Sequence, residues 1–487
     1  MAHQVQGKMD LEERVSYIQS NTHEKDANGN GYADAKTPGE LEDGALVEGG
    51  ALHLFSREAF GLFSQYGAIG VIYGMIPTLV YPLYTVYLGM EGYQTASYGV
   101  LVTTGWSFKV FFGMLSDCVP IMGYRRKSWM LIGWTITMIC LAIMTFTPFG
   151  KPYCDRRLTT NPKTCDTARA KLLPGDLEKY FDVDAPNRGT LFIMMSMLVS
   201  FGYVIAACAS DAMVVQYAQR EPVAIRGRVQ TAIYVVRTMT GVIAQLVIAF
   251  FLNGKVYKGS FDFSVSPNVI FGICLVPCVF VVFTTIFVVV EKKTPRVPFT
   301  EWMSMFWNLL QKRVLWQICA FRFISNCFQA MGATPGSPIS AYWAEIADIG
   351  NEGATYGLVT TISNLASPFA SVLYKYIDSY FKVSVDDIKS DTDDIRWEVA
   401  YCYIISYSCK IGALFWLWML PPQKAAMQEL KKRGGSSKLA GIILIVMFFG
   451  ALSFSLTSNI MAIFPSTKCY RIAGGKGTVN GTCPVKK

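Results

Sequence analysis

The sequence predicts an all-α protein, a bundle of helices that crosses a lipid bilayer many times. Of its 487 residues, 52% are hydrophobic and only 16% are charged. The mean hydropathy is +0.31, which is outside the range of an ordinary soluble domain. Apolar segments of about 18 residues or more, each long enough to span a bilayer, recur along the chain. They are Phe60–Val86, Thr95–Leu115, Ser128–Phe149, Thr190–Ala218, Gln230–Leu252, Asn268–Val290, Val314–Met331, Tyr356–Ile377, Val399–Leu420 and Leu439–Phe464.

Residues 1–57 precede these segments and are rich in acidic, glycine and asparagine residues. Such a composition buries too little apolar surface to fold, so we expect a disordered cytoplasmic tail. Part of a calcium-loop pattern runs from Asp26 to Gly31, but Thr37 stands where the loop needs a glutamate, and we expect no metal site. The start of the chain is neither basic nor apolar, so the first span is expected to direct insertion without a cleavable signal peptide.

The stretch between the second and third segments, Gly113 to Lys127, reads GMLSDCVPIMGYRRK. Gly113 allows two helices to approach closely, and Asp117 can cap a helix or pair across the turn. The basic triplet that ends the stretch holds it on the cytoplasmic side of the membrane. The pattern predicts a cytoplasmic hinge that joins two spans and acts as a latch.

This hinge resembles the loop between spans 2 and 3 of major facilitator transporters, except that Gly123 follows Asp117 by six positions instead of three. The longer form, SD-x-x-P-x-x-GYRR, resembles the folate-biopterin transporter family. Ser56 to Tyr84 is similar to the first span of that family, and Ala207 to Thr231 to its fourth span and the loop that follows. The resemblance implies a major facilitator fold and a secondary active carrier of folate- or pterin-type solutes. Alternating access and proton coupling are implied with it.

Basic residues orient the spans, because cytoplasmic loops carry an excess of lysine and arginine. Arg125–Lys127 place the second connection inside, and Arg220, Arg226 and Arg228 do the same for the fourth. The long loop Gly150–Arg188 then lies outside, although it holds eight basic residues, since six acids accompany them. The net charge of +9 therefore reflects orientation in a membrane, and we expect no nucleic-acid partner.

Most of the 13 cysteines fall inside apolar spans, where cysteine behaves as a small hydrophobe. Cys154 and Cys165 share the long loop, and Cys469 and Cys483 share the C-terminal tail. Either pair forms a disulfide if it faces an oxidising compartment. The sequence leaves the pairing open.

The predicted organisation is a six-helix bundle at 58–290, a cytoplasmic linker at 291–313, a second bundle of about four spans at 314–464 and a cysteine-containing tail at 465–487. The linker is basic at both ends and contains aromatic residues near Trp302. It is either an interfacial helix or an ordinary amphipathic connection.

The second half does not fit a simple count of crossings. The acidic loop Asp386–Asp394 is expected outside, Lys424–Lys438 inside, and the tail, with a glycosylation sequon at Asn480, outside again. Arg313 is expected inside and the acidic loop outside, which requires a single crossing between them. The sequence has two apolar segments there, Val314–Met331 and Tyr356–Ile377, so one crossing is surplus. Gly332–Ile349 is too polar to face lipid. We expect an incomplete second half, with about three spans fewer than the resembled family. Either Val314–Met331 or Tyr356–Ile377 then crosses against its charge preference, or one of them re-enters without crossing.

Ionisable side chains inside spans cost about 2.5–3.5 kcal/mol each, so each needs a partner or a purpose. The candidates for substrate binding or coupling are Lys109, Asp211, Arg237, Arg322 and Lys410. Asp211 is the expected proton carrier, and Arg237 and Arg322 are suited to clamp a carboxylate. The alternatives are that Lys109 extends its charge to the membrane surface and that Lys410 forms a buried pair. Asp211 can also pair structurally with Lys109, Arg237 or Arg322.

The candidate gating residues, which would set the barrier between inward and outward states, are Gly113, Asp117, Arg125, Arg126, Arg220 and Glu221. Lys109, Gly113 and Asp117 are four residues apart, on one helix face, so the lysine and the aspartate are expected to line the same groove. Trp106 and Phe108 can stack on a flat heterocycle, but lipid-facing aromatic residues are the commoner case.

The leading hypothesis is a carrier of folates or pterins, with protons and the lipid bilayer as its other partners, in the plasma membrane or an organelle membrane. Carriage of another solute such as S-adenosylmethionine is an alternative. A membrane receptor or scaffold without transport is a second class of function, favoured by the irregular second half. The three histidines all lie before the first span, no nucleophile–base set is visible, and we expect neither an enzyme nor a cofactor.

Overall fold

The computed structural model describes residues 50–487 except 160, 162, 173–174, 223–224, 226, 294–295, 332–351, 421–428, 431–432, 480–482 and 484–487. The described chain is helical, with no strand in these ranges. The calcium-like pattern, Arg226, Lys424, Lys431, Lys432, Asn480 and the segment Gly332–Ile349 fall outside the described residues.

Six long helical segments form the first half. α1 is Arg57–Met75, and it continues through a 3₁₀ turn, Pro77–Val80, and a π turn, Tyr81–Tyr87. The second segment consists of α2, Gly92–Leu101, a 3₁₀ turn, Thr104–Phe108, and α3, Lys109–Cys118. The other four are α4, Lys127–Phe146, α6, Ala185–Gln219, α7, Arg228–Phe251, and α8, Pro267–Phe287. A short helix, α5, Asp176–Tyr180, lies between α4 and α6.

The linker and the second half contain the remaining helices. α9, Phe299–Gln311, is the linker helix and is followed by α10, Arg313–Ala330, and α11, Glu352–Asp378. Then come α12, Val385–Ser390, α13, Asp393–Gly412, which continues in a 3₁₀ turn, Ala413–Met419, and α14, Lys438–Ile463. Short 3₁₀ turns occupy Thr164–Asp166, Arg169–Lys171, Lys255–Tyr257 and Arg471–Ala473.

Seven helices in the described ranges are long and apolar enough to cross a membrane, which makes this a multi-pass integral membrane protein. They begin at Arg57, Lys127, Ala185, Arg228, Pro267, Asp393 and Lys438. The other three predicted spans, Thr95–Leu115, Val314–Met331 and Tyr356–Ile377, are also helical but more polar. These three pack on one another, because α11 contacts both α10 and the segment Thr104–Cys118. The polar helices are therefore shielded from lipid by their own neighbours.

Close backbone approach holds the first half together. A Cβ atom added at Gly74 of α1 would lie 2.7 Å from the carbonyl oxygen of Gly241 in α7. One added at Gly202 of α6 would lie 2.7 Å from the carbonyl oxygen of Gly133 in α4. In lipid, where apolar burial between helices gains little, such small-residue contacts are a main source of packing energy.

The two halves are built around two distinct apolar cores. The first is built on α1, α4, α6 and α8, with Tyr66, Trp134 and Phe271 among its fully buried residues. The second joins α9, α10, α11 and α14, and Val110 from α3 enters it from the first half, with Phe108 and Phe111 packed against it. The broken second span is thus the element of the first half that reaches into the second core.

The molecule has two faces. The hinge face carries the connection from α3 to α4 and, beside the linker, Gly435, whose carbonyl accepts a hydrogen bond of 3.0 Å from the Arg313 amide. The disulfide face carries the bonds Cys154–Cys165 and Cys469–Cys483. The acidic loop belongs to the disulfide face, since Lys389 Nζ donates to the Cys165 carbonyl at 3.0 Å. This grouping of loops matches the charge-based orientation.

The helices α10 and α11 run in the same direction. Asn326 Nδ2 donates to Ser363 Oγ at 2.8 Å, and Cys327 Sγ lies 3.4 Å from the carbonyl oxygen of Ala366. Two successive described helices therefore both point from the hinge face towards the disulfide face.

α10 also ends at the middle depth of the bundle. Gln317 contacts Met419 at the hinge-face end of the α13 segment, whereas the Met331 carbonyl accepts from Ser406, halfway along that segment. About 20 Å of α13 extends beyond this level, at 1.5 Å per residue. The connection from Met331 to α11 lies outside the described residues, so re-entry stays one of the alternatives predicted from the sequence.

Candidate functional site

A central cavity of about 1620 Å³ lies between the two halves. Its base is formed by residues of α1, the broken second span, α6 and α7, and one wall by α11. Its other end is lined by the disulfide-face loops and the tail, while no residue of the hinge from Gly113 to Lys127 lines it. The volume exceeds the range of about 300–1,000 Å³ that holds small organic ligands.

Asp211 of α6 lies at the base of this cavity and has two partners. Lys109 Nζ lies 2.5 Å from Asp211 Oδ2, and the Tyr66 hydroxyl donates to Oδ1 of the same carboxylate. The lysine side chain is 8% exposed and the aspartate side chain 23%. Lys109 is thus the ion-pair partner of Asp211, one of the alternatives open at the level of sequence, and its amine does not reach the membrane surface.

Trp106 contacts several of the groups beside the Lys109–Asp211 pair. Arg237 Cζ of α7 lies 5.0 Å from the centre of the Trp106 ring and 4.8 Å from that of Tyr73. Lys109 Nζ lies 5.6 Å from the Trp106 ring, and the Trp106 indole donates to Tyr203 at 3.0 Å. Cations over aromatic faces gain about 0.5–2 kcal/mol each. Trp106 and Tyr73 line the cavity, so the expectation that Trp106 faces lipid is wrong.

The break in the second span explains this position. A Cβ at Gly105 would lie 2.6 Å from the Ser200 carbonyl oxygen, so the chain approaches α6 closely there. Asn364 of α11 reaches the Trp106 carbonyl at 3.4 Å from the other side. Broken helices at mid-membrane are tolerated where they line a cavity. A continuous helix over Thr95–Leu115, as the sequence predicts, would not present Trp106 and Lys109 in this way.

The structure does not bring Arg322 and Lys410 to the cavity. Neither residue lines it. Arg322 is half-buried on α10, and Lys410 Nζ lies 5.1 Å from the ring of Tyr407 on its own helix. A role for these two residues in transport stays a prediction from sequence.

The candidate gating residues gather at the hinge face. Arg126 Nη2 lies 2.5 Å from Asp117 Oδ1, and its Nη1 donates to Ser116 Oγ at 2.6 Å. The Asp117 carbonyl accepts from the amide of Val297 in the linker at 3.3 Å. Asp117 pairs within the hinge and does not share a groove with Lys109, while Gly113 faces open space.

Glu291, just past α8, ties the hinge to the linker and was not predicted from sequence. Its carboxylate accepts from the backbone amides of Arg125 at 2.9 Å, Arg126 at 2.9 Å and Lys127 at 2.7 Å, at the N-terminus of α4. In return, Lys127 Nζ donates to the carbonyl of Ile286 at 2.9 Å. A carboxylate at a helix N-terminus and a lysine at a helix C-terminus both complement the helix dipole.

Glu221 and Arg220 serve the next connection in a similar way. The fully buried Glu221 carboxylate accepts from the amides of Gly227 at 2.8 Å and Val229 at 3.2 Å, which caps α7. Arg220 Cζ lies 5.1 Å from the ring of Tyr217. Both residues thus make local contacts within the first half, and their role in gating stays a prediction.

At the disulfide face, the rim of the cavity is lined by ion pairs. Arg156 binds Asp166 with hydrogen bonds of 3.0 and 2.9 Å, and Lys258 adds one of 2.9 Å. The hydrogen bond from Arg156 leads the effects that lower the pKa of Asp166 to about 2, against the opposing effect of burial. Lys476 of the tail pairs with Asp387 of the second half at 2.6 Å. Both predicted cysteine pairs are formed, and each is local to its loop.

Residues 69–154 of the chain match the BT1 family. The matching segment runs from the middle of α1 through the broken span and the hinge to the first residues of the long loop, so it contains Tyr73, Trp106, Lys109 and the Asp117–Arg126 pair. A comparison with curated proteins finds no match. This segment of the chain is therefore similar to the BT1 family, the folate-biopterin transporters.

Proposed function

We propose that this protein is a secondary active carrier that moves folate- or pterin-type solutes by alternating access and is coupled to protons through Asp211. The observation that supports this most is the position of the Lys109–Asp211 pair. It lies at the base of a cavity that reaches the loops of one face, between two halves with separate cores.

The chemistry of the cavity base suits such a solute. Arg237 and Lys109 provide positive charge, and Trp106 and Tyr73 provide aromatic surface beside it. A pterin is a flat heterocycle that can stack on an aromatic ring, and a carboxylate can accept two parallel hydrogen bonds from a guanidinium. Substrate binding at the base would replace the contacts that Arg237 now makes with the two rings.

The ion pair supplies a route to proton coupling. Lys109 and Asp211 neutralise each other, and removing one charge from a buried pair leaves the other uncompensated. A proton on Asp211 releases Lys109, which then needs an anion. An anionic substrate can supply that charge, so proton binding and substrate binding favour each other.

Alternating access requires a barrier that opens and closes. At the hinge side of the cavity, α3 packs on α11, where the Val110 amide donates to Thr361 Oγ1 at 3.3 Å. The Asp117–Arg126 pair and Glu291 stabilise the hinge that follows α3 at the hinge face. Opening towards the hinge face would separate α3 from α11 and close the rim at the disulfide face, with the cavity base kept in place.

Uptake of labelled folate by transport-deficient cells tests the proposal. Cells that display the protein should accumulate folate or a pterin, and the Lys109→Met variant, at equal surface level, should accumulate less. If the surface-expressed protein takes up no folate, no pterin and no S-adenosylmethionine, the carrier proposal fails.

The irregular second half favours a second candidate, a receptor or scaffold that binds without transport. Its described part has four long helices, α10, α11, α13 and α14, and α10 reaches only the middle depth. Carriers of this class place substrate between two matching halves. Accumulation against a gradient separates the two candidates, because a receptor binds solute without concentrating it.

A further inference from the structure

A second cationic position lies in the same cavity, nearer the disulfide face. Lys375 of α11 lines the cavity and is 4% exposed. Its Nζ donates to Ser97 Oγ of α2 at 2.8 Å and to Asn459 Oδ1 of α14 at 2.7 Å. Among the described residues it forms no ion pair with a carboxylate.

Both partners of Lys375 are held as acceptors. The Ser97 hydroxyl donates to the Tyr93 carbonyl at 2.8 Å, and Asn459 Nδ2 donates to the Ser455 carbonyl at 2.7 Å. Neutral acceptors do not cancel the charge of an ammonium group, which has three hydrogens to donate. The third hydrogen and the net positive charge are available to a ligand. Buried cations in a membrane protein are costly unless an anion or a function compensates them.

The two cationic positions are well separated. Asn364 marks the level of Trp106 on α11, and Lys375 is further along the same helix by about 16 Å at 1.5 Å per residue. The cavity therefore presents aromatic rings with Arg237 and Lys109 at its base, and a buried ammonium group near its mouth. This arrangement fits an elongated molecule with a flat ring at one end and an anion at the other.

We propose that Lys375 binds the carboxylate tail of the substrate and thereby selects pterins that carry such a tail over neutral pterins. The inference rests on the proposed function, because it assigns a residue of the same cavity. Folate, with a glutamate at the end opposite its pterin ring, belongs to the selected class. Biopterin, which has a short neutral side chain, does not.

Binding of folate and biopterin to the purified full-length protein tests this assignment. Lys375→Gln should weaken folate binding by about tenfold or more, as expected for loss of a charged hydrogen bond, and leave biopterin binding unchanged. Lys375→Arg keeps the charge and should retain most of the folate affinity. Lys255→Gln, which removes an exposed lysine that does not line the cavity, is the matched control and should change neither.

The outcomes distinguish failure of the assignment to Lys375 from failure of the proposed function. Equal loss of folate and biopterin binding in Lys375→Gln, or no loss of either, overturns the role of Lys375, and Lys375→Met repeats the test should the glutamine variant not fold. If the wild-type protein binds neither pterin, the proposed function fails. Glutarate then serves as the probe in thermal unfolding: stabilisation of the wild type but not of Lys375→Met keeps the anion site, and no difference removes it.

Discussion

Lys109 and Asp211 form an ion pair of 2.5 Å between the broken second span and α6, at the base of the cavity. The lysine lies at the first residue of α3, directly after the 3₁₀ turn that carries Trp106. The pair therefore joins the two features on which the proposed mechanism depends, an exchangeable charge and an aromatic surface.

Removing one partner of this pair should destabilise the protein more than removing both. Lys109→Met leaves the Asp211 carboxylate without its counter-charge, and breaking a buried pair costs about 3 kcal/mol or more. The double variant Lys109→Met, Asp211→Asn has no uncompensated charge and should recover part of that loss. Thermal unfolding in detergent measures both. Equal stability of the wild type and Lys109→Met would show that the pair contributes nothing to the fold.

Glu291 should stabilise the hinge through the helix end that it caps. In Glu291→Ala the amides of Arg125, Arg126 and Lys127 lose their acceptor, which should lower the free energy of unfolding by about 1–2 kcal/mol. Glu301→Ala removes an exposed glutamate from the first turn of α9 and is the matched control. A loss of stability as small as that of the control would mean that water replaces Glu291 as the cap.

The rim pair at Asp166 should give a stability that depends on pH. Its pKa in the folded protein is about 2, below the ordinary value of 3.8. A group whose pKa is depressed on folding stabilises the fold above its unfolded pKa, and that contribution is lost as the pH falls from about 4 to about 2. Asp166→Asn should thus cost about 1 kcal/mol at neutral pH, after allowance for solvent screening, and nothing near pH 2.

The matched control for this test is Asp262→Asn. Asp262 also pairs with a lysine, Lys255 at 2.7 Å, but both side chains are largely exposed. Thermal unfolding of the two variants should show a pH-dependent difference for Asp166 and little difference for Asp262. The same difference at every pH for Asp166→Asn would contradict an electrostatic origin.

Glycan mapping can test the orientation. α14 begins at the hinge face and ends at the disulfide face, where Thr190 Oγ1 donates to the Ile463 carbonyl at 3.0 Å. We therefore expect a glycan at Asn480 and cytoplasmic labelling of a cysteine placed at Arg433, with Asn480→Gln as the unmodified control. An unmodified, cytoplasmic Asn480 would show that the outer and inner loops are assigned backwards.

Composition and charge were sufficient to predict the fold class, because each of the ten apolar segments is helical in the structure. The hinge pattern predicted Asp117 and its neighbours, which pair locally. Trp106 was misjudged because its position depends on a helix break that the apolar run over Thr95–Leu115 does not reveal. The sequence around Glu291 and Lys375 shows only an ionisable residue near or within a helix. Their roles could not be predicted because their partners lie on helices that are distant in the sequence.

The substitution Asp211→Asn tests the central claim most directly, in proteoliposomes that hold the purified protein. Asparagine keeps the shape of the side chain but cannot release a proton. The variant should therefore lose accumulation of folate driven by a proton gradient. It should keep exchange of labelled for unlabelled folate, since the bound anion can replace the lost carboxylate beside Lys109. Asp117→Asn, which changes the hinge, should slow both processes. The same pH dependence of uptake in the wild type and in Asp211→Asn would contradict the account and remove Asp211 from proton coupling.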